Sequence, residues 1–415
     1  MMNDSIIIRG GHKLNGEVRI SGSKNATVAL IPAAVLASNV VTICDVPDIS
    51  DVEALSTLLE ELNVKVTRRQ DHIVIDPTEI RNITLDHEAV GKLRASYYFM
   101  GALLGRYKKV KIKMSGGCYL GPRPIDLHLK GFESLGAKVD YDDGYYMIEA
   151  EELKGANIYL DFASVGATIN IMMAAVFAKG RTTIENAAKE PEIIDLSSML
   201  NKMGAQIRGA GTNEITIDGV ESLGGCFHEI IPDRIEAGTY IIMAAACASK
   251  VRISNIIPQH LESLLLKLDE MGVKMDVGVD HVVVYESHDL KPVEIKTLPY
   301  PGFATDLQQP ITALLTQAVG FSKIKDTIYP ERFKHCHELS LMGADIEVNQ
   351  GTSSITGPTI LEGAKVTATD LRCGASLVIA GLLANGETEI KDAYHIYRGY
   401  DNIKEKLKAL GADVE

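Results

Sequence analysis

Residues 115–128 read SGGCYLGPRPIDLH and set a thiol, Cys118, five residues ahead of a guanidinium, Arg123. Glycine is too free and proline lacks a donor, so the stretch reads as loop. A free cysteine is by default a small core residue. Near several guanidiniums, however, its thiol would ionise more readily and serve as acid or nucleophile. Basic residues also recur just ahead of apolar stretches, in SGSKNAT, KLRAS, DFASVGAT, PDRIEAGT, FATDLQQP and TDLRCGAS, which supply Lys24, Arg94, Arg234 and Arg372. Ser164, Asp233, Thr305 and Thr369 in these runs suit helix N-caps. A cation there disfavours the helix, whereas an anion is held by free N–H groups and the positive end of the dipole. Their recurrence therefore points to binding of anionic groups. A second set, Cys118, Arg123, Glu190, Glu192, Arg332 and Arg398, falls ahead of amphipathic segments.

The elements that must position these residues form a sixfold repeat. LEELNVKV, FESLGAKV, LNKMGAQI, LDEMGVKM, LSLMGADI and LKALGADV align on Asn63, Gly136, Gly204, Gly272, Gly343 and Gly411, spaced by 73, 68, 68, 71 and 68 residues. Each ends an amphipathic helix on a residue that tolerates the left-handed C-cap and then starts a strand. A second phrase with strand alternation opens most units, at Leu14, Leu153, Leu223, Leu290 and Leu361, while the second unit, near RNITLDHE, lacks a clear copy. Between them stands a short helix apolar on every side, as in ATINIMMAAVFA and ASLVIAGLLA, which must be buried all round. Each unit thus reads βαβαββ. The expected fold is α/β, two domains of three units with buried helices inside and sheets outside. The domains are 1–23 with 232–415, completed by the N-terminal strand, and 24–231, carrying the Cys118 loop. An open solenoid would need polar end caps, and neither terminal unit looks different from the rest.

Composition narrows the function. The 415 residues carry a net charge of −13, which argues against a broad nucleic-acid or membrane face, so an anionic substrate needs a local basic cluster. The six cysteines show no Cys-x-x-Cys pair, which fits a reduced cytoplasmic setting rather than a disulfide framework or zinc site. The N-terminus has no signal-peptide pattern, and the longest apolar runs are too short to span a bilayer. No Walker or Rossmann glycine pattern opens a helix, and His335 and His337, expected on one strand or turn, have no partner set. The expectation is anion chemistry by side chains and helix ends, without metal or nucleotide cofactor.

GSKNAT, LRAS, GGCYLGPRPIDLH, SVGATIN, ENAAKEPEIID, IIPDRIEAGT, PGFATDLQQP, ATDLR and YRGYDNI occur in this order along essentially the whole chain. The set closely resembles the UDP-N-acetylglucosamine 1-carboxyvinyltransferase family, and DTIYPERFKH looks most like a second paralogue of Gram-positive bacteria. The resemblance implies a two-domain inside-out α/β barrel. It implies attack of the sugar nucleotide's 3-hydroxyl on the second carbon of phosphoenolpyruvate, then loss of phosphate from a tetrahedral intermediate. Lys24, Asn25, Arg94, Arg123, Arg372 and Arg398 would hold phosphoenolpyruvate. Arg94, Arg123, Pro124, Ile125, Asp126, Leu127, Phe162, Ala163, Ser164, Val165, Asp306, Ile328 and Arg332 would face the sugar nucleotide. Cys118 would donate the proton and take a covalent adduct from phosphoenolpyruvate or from fosfomycin.

Vinyl transfer needs an acid for the methylene carbon and a base for the hydroxyl, each worth on the order of 10²–10⁴ in rate. Asp306, near the end of the irregular run from Pro299 to Ala304, is the candidate base; its other reading is a second cap beside Thr305. The basic cluster, including the catalytic candidates Lys24 and Arg398, would stabilise departing phosphate. The glycines would make 115–124 a lid whose closure brings Cys118 and Arg123 onto the substrates. Three positions depart from the family wording: Phe162 for Lys, Ala304 for Pro and Tyr397 for Asp. Two other functions remain in view, a shikimate-pathway enolpyruvyl transferase and a weakly active regulatory paralogue. The former normally has Ser where this chain has Asn25 and lacks the cysteine loop.

Overall fold

In a computed structural model of the chain, which describes residues 4–86, 90, 94–113 and 125–415, the repeat is visible in the backbone. Asn63, Gly136, Gly204, Gly272, Gly343 and Gly411 all have positive φ, from 62° to 112°. Each ends a helix in the left-handed region, where glycine and asparagine are least strained, and the next strand follows at once.

The chain divides into two compact units, Met1–Ser21 with Pro232–Glu415, and Gly22–Ile231. Each contains three apolar helices. In the Gly22–Ile231 unit they are Lys24–Ala33, Tyr98–Tyr107 and Val165–Ala175; in the other they are Arg234–Cys247, Thr305–Leu315 and Leu371–Leu383. Burial on all sides is the reason they lack a polar face: every residue from Ala26 to Ala33 and from Arg372 to Leu382 is buried. In the unit of Met1–Ser21 with Pro232–Glu415 each of the three packs on the other two, so its repeats close on themselves instead of stacking in a line.

Six sheets flank these helices among the described residues. A typical one sets Asn157–Tyr159 parallel to Arg181–Glu185, which runs antiparallel to Glu214–Asp218, itself paired with Gln206–Arg208. In the second repeat the opening strand shrinks to a bridge from Leu85 to Ile112, in keeping with its faint sequence signal.

Two opening strands sit elsewhere than their place in the sequence suggests. Leu14–Arg19 precedes the Lys24 helix but pairs in parallel with Ala248–Ser254. Cys226–Glu229, expected to open the fourth repeat, instead pairs in parallel with Val41–Cys44 and completes the first. The strands are thus exchanged where the chain passes between units, and Ser5–Arg9 closes the sixth sheet between Glu387–Lys391 and Asp413–Val414. His335 and His337 lie on the helix Lys334–Leu341, not on a strand or turn. Among the described residues no helix is long and apolar enough to cross a membrane.

Candidate active site

In the Gly22–Ile231 unit, Ser23 caps the first apolar helix by accepting the Ala26 N–H at 3.2 Å. That cap fixes Lys24 and Asn25 in a half-buried first turn. Lys24 Nζ lies 2.9 Å from Asp51 Oδ2, whose carboxylate is buried in the first turn of the helix Ser50–Glu61. Asn25 Nδ2 donates to Glu192 Oε1 at 3.4 Å, and Glu192 is likewise buried. Ser164 caps the helix Val165–Ala175 through the Ala167 N–H at 3.3 Å, while Phe162 is half exposed beside Ala163. Ile125, Asp126 and Leu127 enter the helix Asp126–Ser134. Arg94 begins the short turn Arg94–Tyr97. Cys118, Arg123 and Pro124, with the expected lid, lie outside the described residues.

In the other unit the basic side chains converge on a carboxylate. Asp306 occupies the first turn of the helix Thr305–Leu315, just beyond the run that ends at Ala304. Arg332 Nη1 reaches its Oδ1 at 2.7 Å and Arg372 Nη2 its Oδ2 at 3.1 Å; both arginines are buried and Asp306 keeps a quarter of its side chain exposed. Burial works against the Arg372 charge, yet Tyr400, Asp306 and Asp233 outweigh it and raise its pKa. Arg372 also donates to Tyr400 Oη at 3.1 Å, which is 2.9 Å from Thr239 Oγ1. Ile328, half-buried, gives its N–H to Asp326 at 2.9 Å.

The caps differ in part from expectation. Asp233 does cap its helix, accepting from Ile235 and Glu236. Thr305, however, is the first residue inside its helix, Ala304 takes the cap position, and the Thr305 hydroxyl turns to Asp326. Asp370, one residue beyond Thr369, accepts from the Arg372 and Cys373 N–H groups. Arg398 ends the short helix Tyr394–Tyr397, and burial pushes the neighbouring Tyr397 phenol up to about 12.

The five described cysteines are free. Burial pushes the Cys247, Cys336 and Cys373 thiols up to about 12, so they are packing residues and not nucleophiles. Among the described residues no cluster of histidine, cysteine or carboxylate side chains fits a metal ion.

The model of the EPSP synthase (3-phosphoshikimate 1-carboxyvinyltransferase) family matches residues 8–407. UDP-N-acetylglucosamine 1-carboxyvinyltransferase 2 of Listeria monocytogenes is 58% identical over 413 residues, covering 100% of this chain and 98% of that protein. Its namesake from Bacillus cereus is 58% identical over 412 residues, 99% of this chain and 96% of that one. The chain belongs to the UDP-N-acetylglucosamine 1-carboxyvinyltransferase family. Among solved structures, the enolpyruvyl transferase NikO from Streptomyces tendae superposes with a TM-score of 0.91 at 28% identity, covering 99% of this chain and 98% of that chain. EPSP synthase from Acinetobacter baumannii, at 17% identity and a TM-score of 0.77, shares the fold.

Within this 1-carboxyvinyltransferase, sequence reasoning missed Asp51, which holds Lys24, and Asp326, which ties the helix of Asp306 to the following strand end. Asp51 gave little signal, being one more acidic residue at a helix start. Asp326 was more legible: Asp-Thr-Ile at a strand end is a pattern in which a carboxylate accepts the next N–H groups. It takes those of Ile328 and Tyr329 and the hydroxyls of Thr297 and Thr305.

Proposed function

We propose that this chain transfers the enolpyruvyl group of phosphoenolpyruvate to the 3-hydroxyl of UDP-N-acetylglucosamine with release of phosphate, the first committed step of peptidoglycan synthesis. The observation that carries this reading is 58% identity, over the full length, to relatives bearing that activity in their names. The charge pattern supports it. Two anionic substrates need several cations held at fixed positions, and Lys24, Arg332 and Arg372 are each pinned by a carboxylate.

Asp306 takes the hydroxyl proton as the oxygen bonds to the second carbon of phosphoenolpyruvate, and Cys118 delivers a proton to the methylene carbon, giving a tetrahedral intermediate. That carbon then returns a proton, the carbon–oxygen bond to phosphate breaks, and the double bond re-forms. Lys24, Asn25, Arg94, Arg123, Arg372 and Arg398 hold the phosphate and carboxylate, and offset charge on the departing phosphate. Arg94, Arg123, Pro124, Ile125, Asp126, Leu127, Phe162, Ala163, Ser164, Val165, Asp306, Ile328 and Arg332 receive the sugar nucleotide. With Phe162 in place of lysine, this protein contacts the nucleotide there without a charge. The scattered free cysteines support a cytoplasmic location.

Phosphate release measured with phosphoenolpyruvate plus UDP-N-acetylglucosamine tests the reading. Turnover with that acceptor, none with shikimate 3-phosphate, and loss in Cys118→Ala are expected. Turnover with shikimate 3-phosphate alone, or with neither acceptor, defeats it.

A further inference from the structure

His128 ends the SGGCYLGPRPIDLH run, yet no role above uses it. It is 5% exposed, in the first turn of the helix Asp126–Ser134. Its Nδ1 lies 2.9 Å from Nδ2 of Asn170, which is fully buried in the helix Val165–Ala175. The Asn170 amide has one orientation available, because its Oδ1 accepts the Gly101 N–H at 2.8 Å. Nδ2 must therefore donate, His128 Nδ1 must accept, and in the neutral ring the proton sits on Nε2.

The other edge of the ring meets two further segments. It stands edge-on to Tyr97, with ring centroids 5.1 Å apart. A Cβ placed on Gly166 would lie 2.9 Å from Tyr97 Oη and 3.1 Å from His128 Nε2, so only glycine lets these groups close over the start of the Val165 helix. Three segments proposed above to receive the sugar nucleotide adjoin this knot: the turn of Arg94, the helix start at Asp126–Leu127, and Ser164–Val165. Among the described residues they share no strand and no backbone hydrogen bond to one another.

We propose that His128, oriented by Asn170, is a positioning residue that sets these three segments at the spacing the sugar nucleotide requires. The inference rests on the proposed function and adds a residue to it. It acts through its neighbours, without touching the reacting atoms.

The test compares His128→Phe, Asn170→Leu and Asn170→Asp. In Asn170→Asp the carboxylate still accepts from Gly101, and His128 re-forms the pair by donating from Nδ1. The dissociation constant for UDP-N-acetylglucosamine, by calorimetry, and its KM should rise by roughly ten- to a hundredfold in the first two variants. KM for phosphoenolpyruvate should stay within about twofold and Asn170→Asp within about threefold of wild type, a rescue that loss of stability alone would not give. Thermal melting identifies a variant that fails to fold, and Asn170→Asp against wild type and Asn170→Leu then decides. Unchanged nucleotide affinity in folded His128→Phe, or equal loss in both Asn170 variants, overturns the inference. Wild-type protein that binds the nucleotide but releases no phosphate defeats the functional reading instead, and the calorimetric comparison still stands.

Discussion

Thr305 Oγ1 donates to Asp326 Oδ2 across 2.7 Å and so ties the first turn of the helix that carries Asp306 to the end of the strand Gly320–Lys325. Asp326 is 2% exposed and accepts three more hydrogen bonds, from Thr297 and from the Ile328 and Tyr329 N–H groups. It organises both the helix of Asp306, the proposed base, and the turn leading to Arg332. Replacement by alanine strands all four donors. We expect Asp326→Ala to cost about 3 kcal/mol of stability, with a fall in kcat larger than that of an exposed control such as Asp345→Ala. Denaturant unfolding and phosphate release measure the two. A stable, fully active variant would remove Asp326 from the site.

Arg332 and Arg372 differ from lysine in the way that matters here. Each spans Asp306 and a second oxygen, Thr305 Oγ1 at 3.2 Å for Arg332 and Tyr400 Oη at 3.1 Å for Arg372. Arg372 uses Nη2 and Nη1 for its two partners, whereas Arg332 makes both contacts from Nη1 with its guanidinium over the Tyr329 ring; a single ammonium reproduces neither the fork nor the stacked plane. Arg332→Lys and Arg372→Lys should each lower kcat by about 10²-fold through misplacement of Asp306, even though the charge is kept. Steady-state phosphate release gives the number, and kcat within threefold of wild type in both would show that charge alone suffices.

How much of this was legible depended on whether a local pattern or a distant partner decided the outcome. The positive φ of Asn63 and the five glycines follows from a local rule, and so does burial of the six apolar helices. The strands that Leu14–Arg19 and Cys226–Glu229 pair with did not show, because a strand signal reads the same whichever sheet accepts it; partner choice is a tertiary fact. Thr305 looked like a cap because threonine is a good one, but the buried Asp326 carboxylate competes for its hydroxyl and wins. Lys24 and Arg372 stood out through the repeat and Asn25 through the family resemblance, whereas Asp51 and Tyr400 come from other elements with no fixed spacing. The repeat could therefore suggest which cations matter, but not what holds them.

Two buried groups in the same unit give the stability opposite dependences on pH. Burial raises the Glu236 pKa to about 7, against the pull of Lys406 at 2.6 Å and of the Ser21 N–H. A carboxyl raised on folding contributes stability that is present at low pH and lost as pH climbs through about 7. Burial lowers the His335 pKa to about 3, so its contribution is lost as pH falls below the unfolded value of 6.5. Between pH 5 and 6.5 the two trends oppose one another. Glu236→Gln should therefore melt at progressively lower temperature on acidification from pH 6.5 to 5, and His335→Gln at progressively higher temperature, each relative to wild type. Parallel melting curves for all three proteins across that window would refute both assignments.

Lys24 and Asn25 are adjacent in sequence but held by different elements, and this separates their expected effects. Asp51 fixes the Lys24 ammonium from the helix Ser50–Glu61, whereas Glu192 meets Asn25 from the helix Pro191–Met203. Asp51→Asn keeps the shape of the partner and removes its charge. The ammonium then loses a charge-assisted bond worth about 1.5–3 kcal/mol, and with it its fixed position. If Lys24 serves the phosphate of phosphoenolpyruvate, KM for that substrate should rise about tenfold or more, with KM for UDP-N-acetylglucosamine little changed. Glu192→Gln can still accept from Asn25 and should change either constant less than threefold, a size set by one weak hydrogen bond at 3.4 Å. Initial rates with each substrate varied in turn distinguish the cases. A rise confined to the nucleotide in Asp51→Asn would move Lys24 from the phosphoenolpyruvate set to the sugar-nucleotide set.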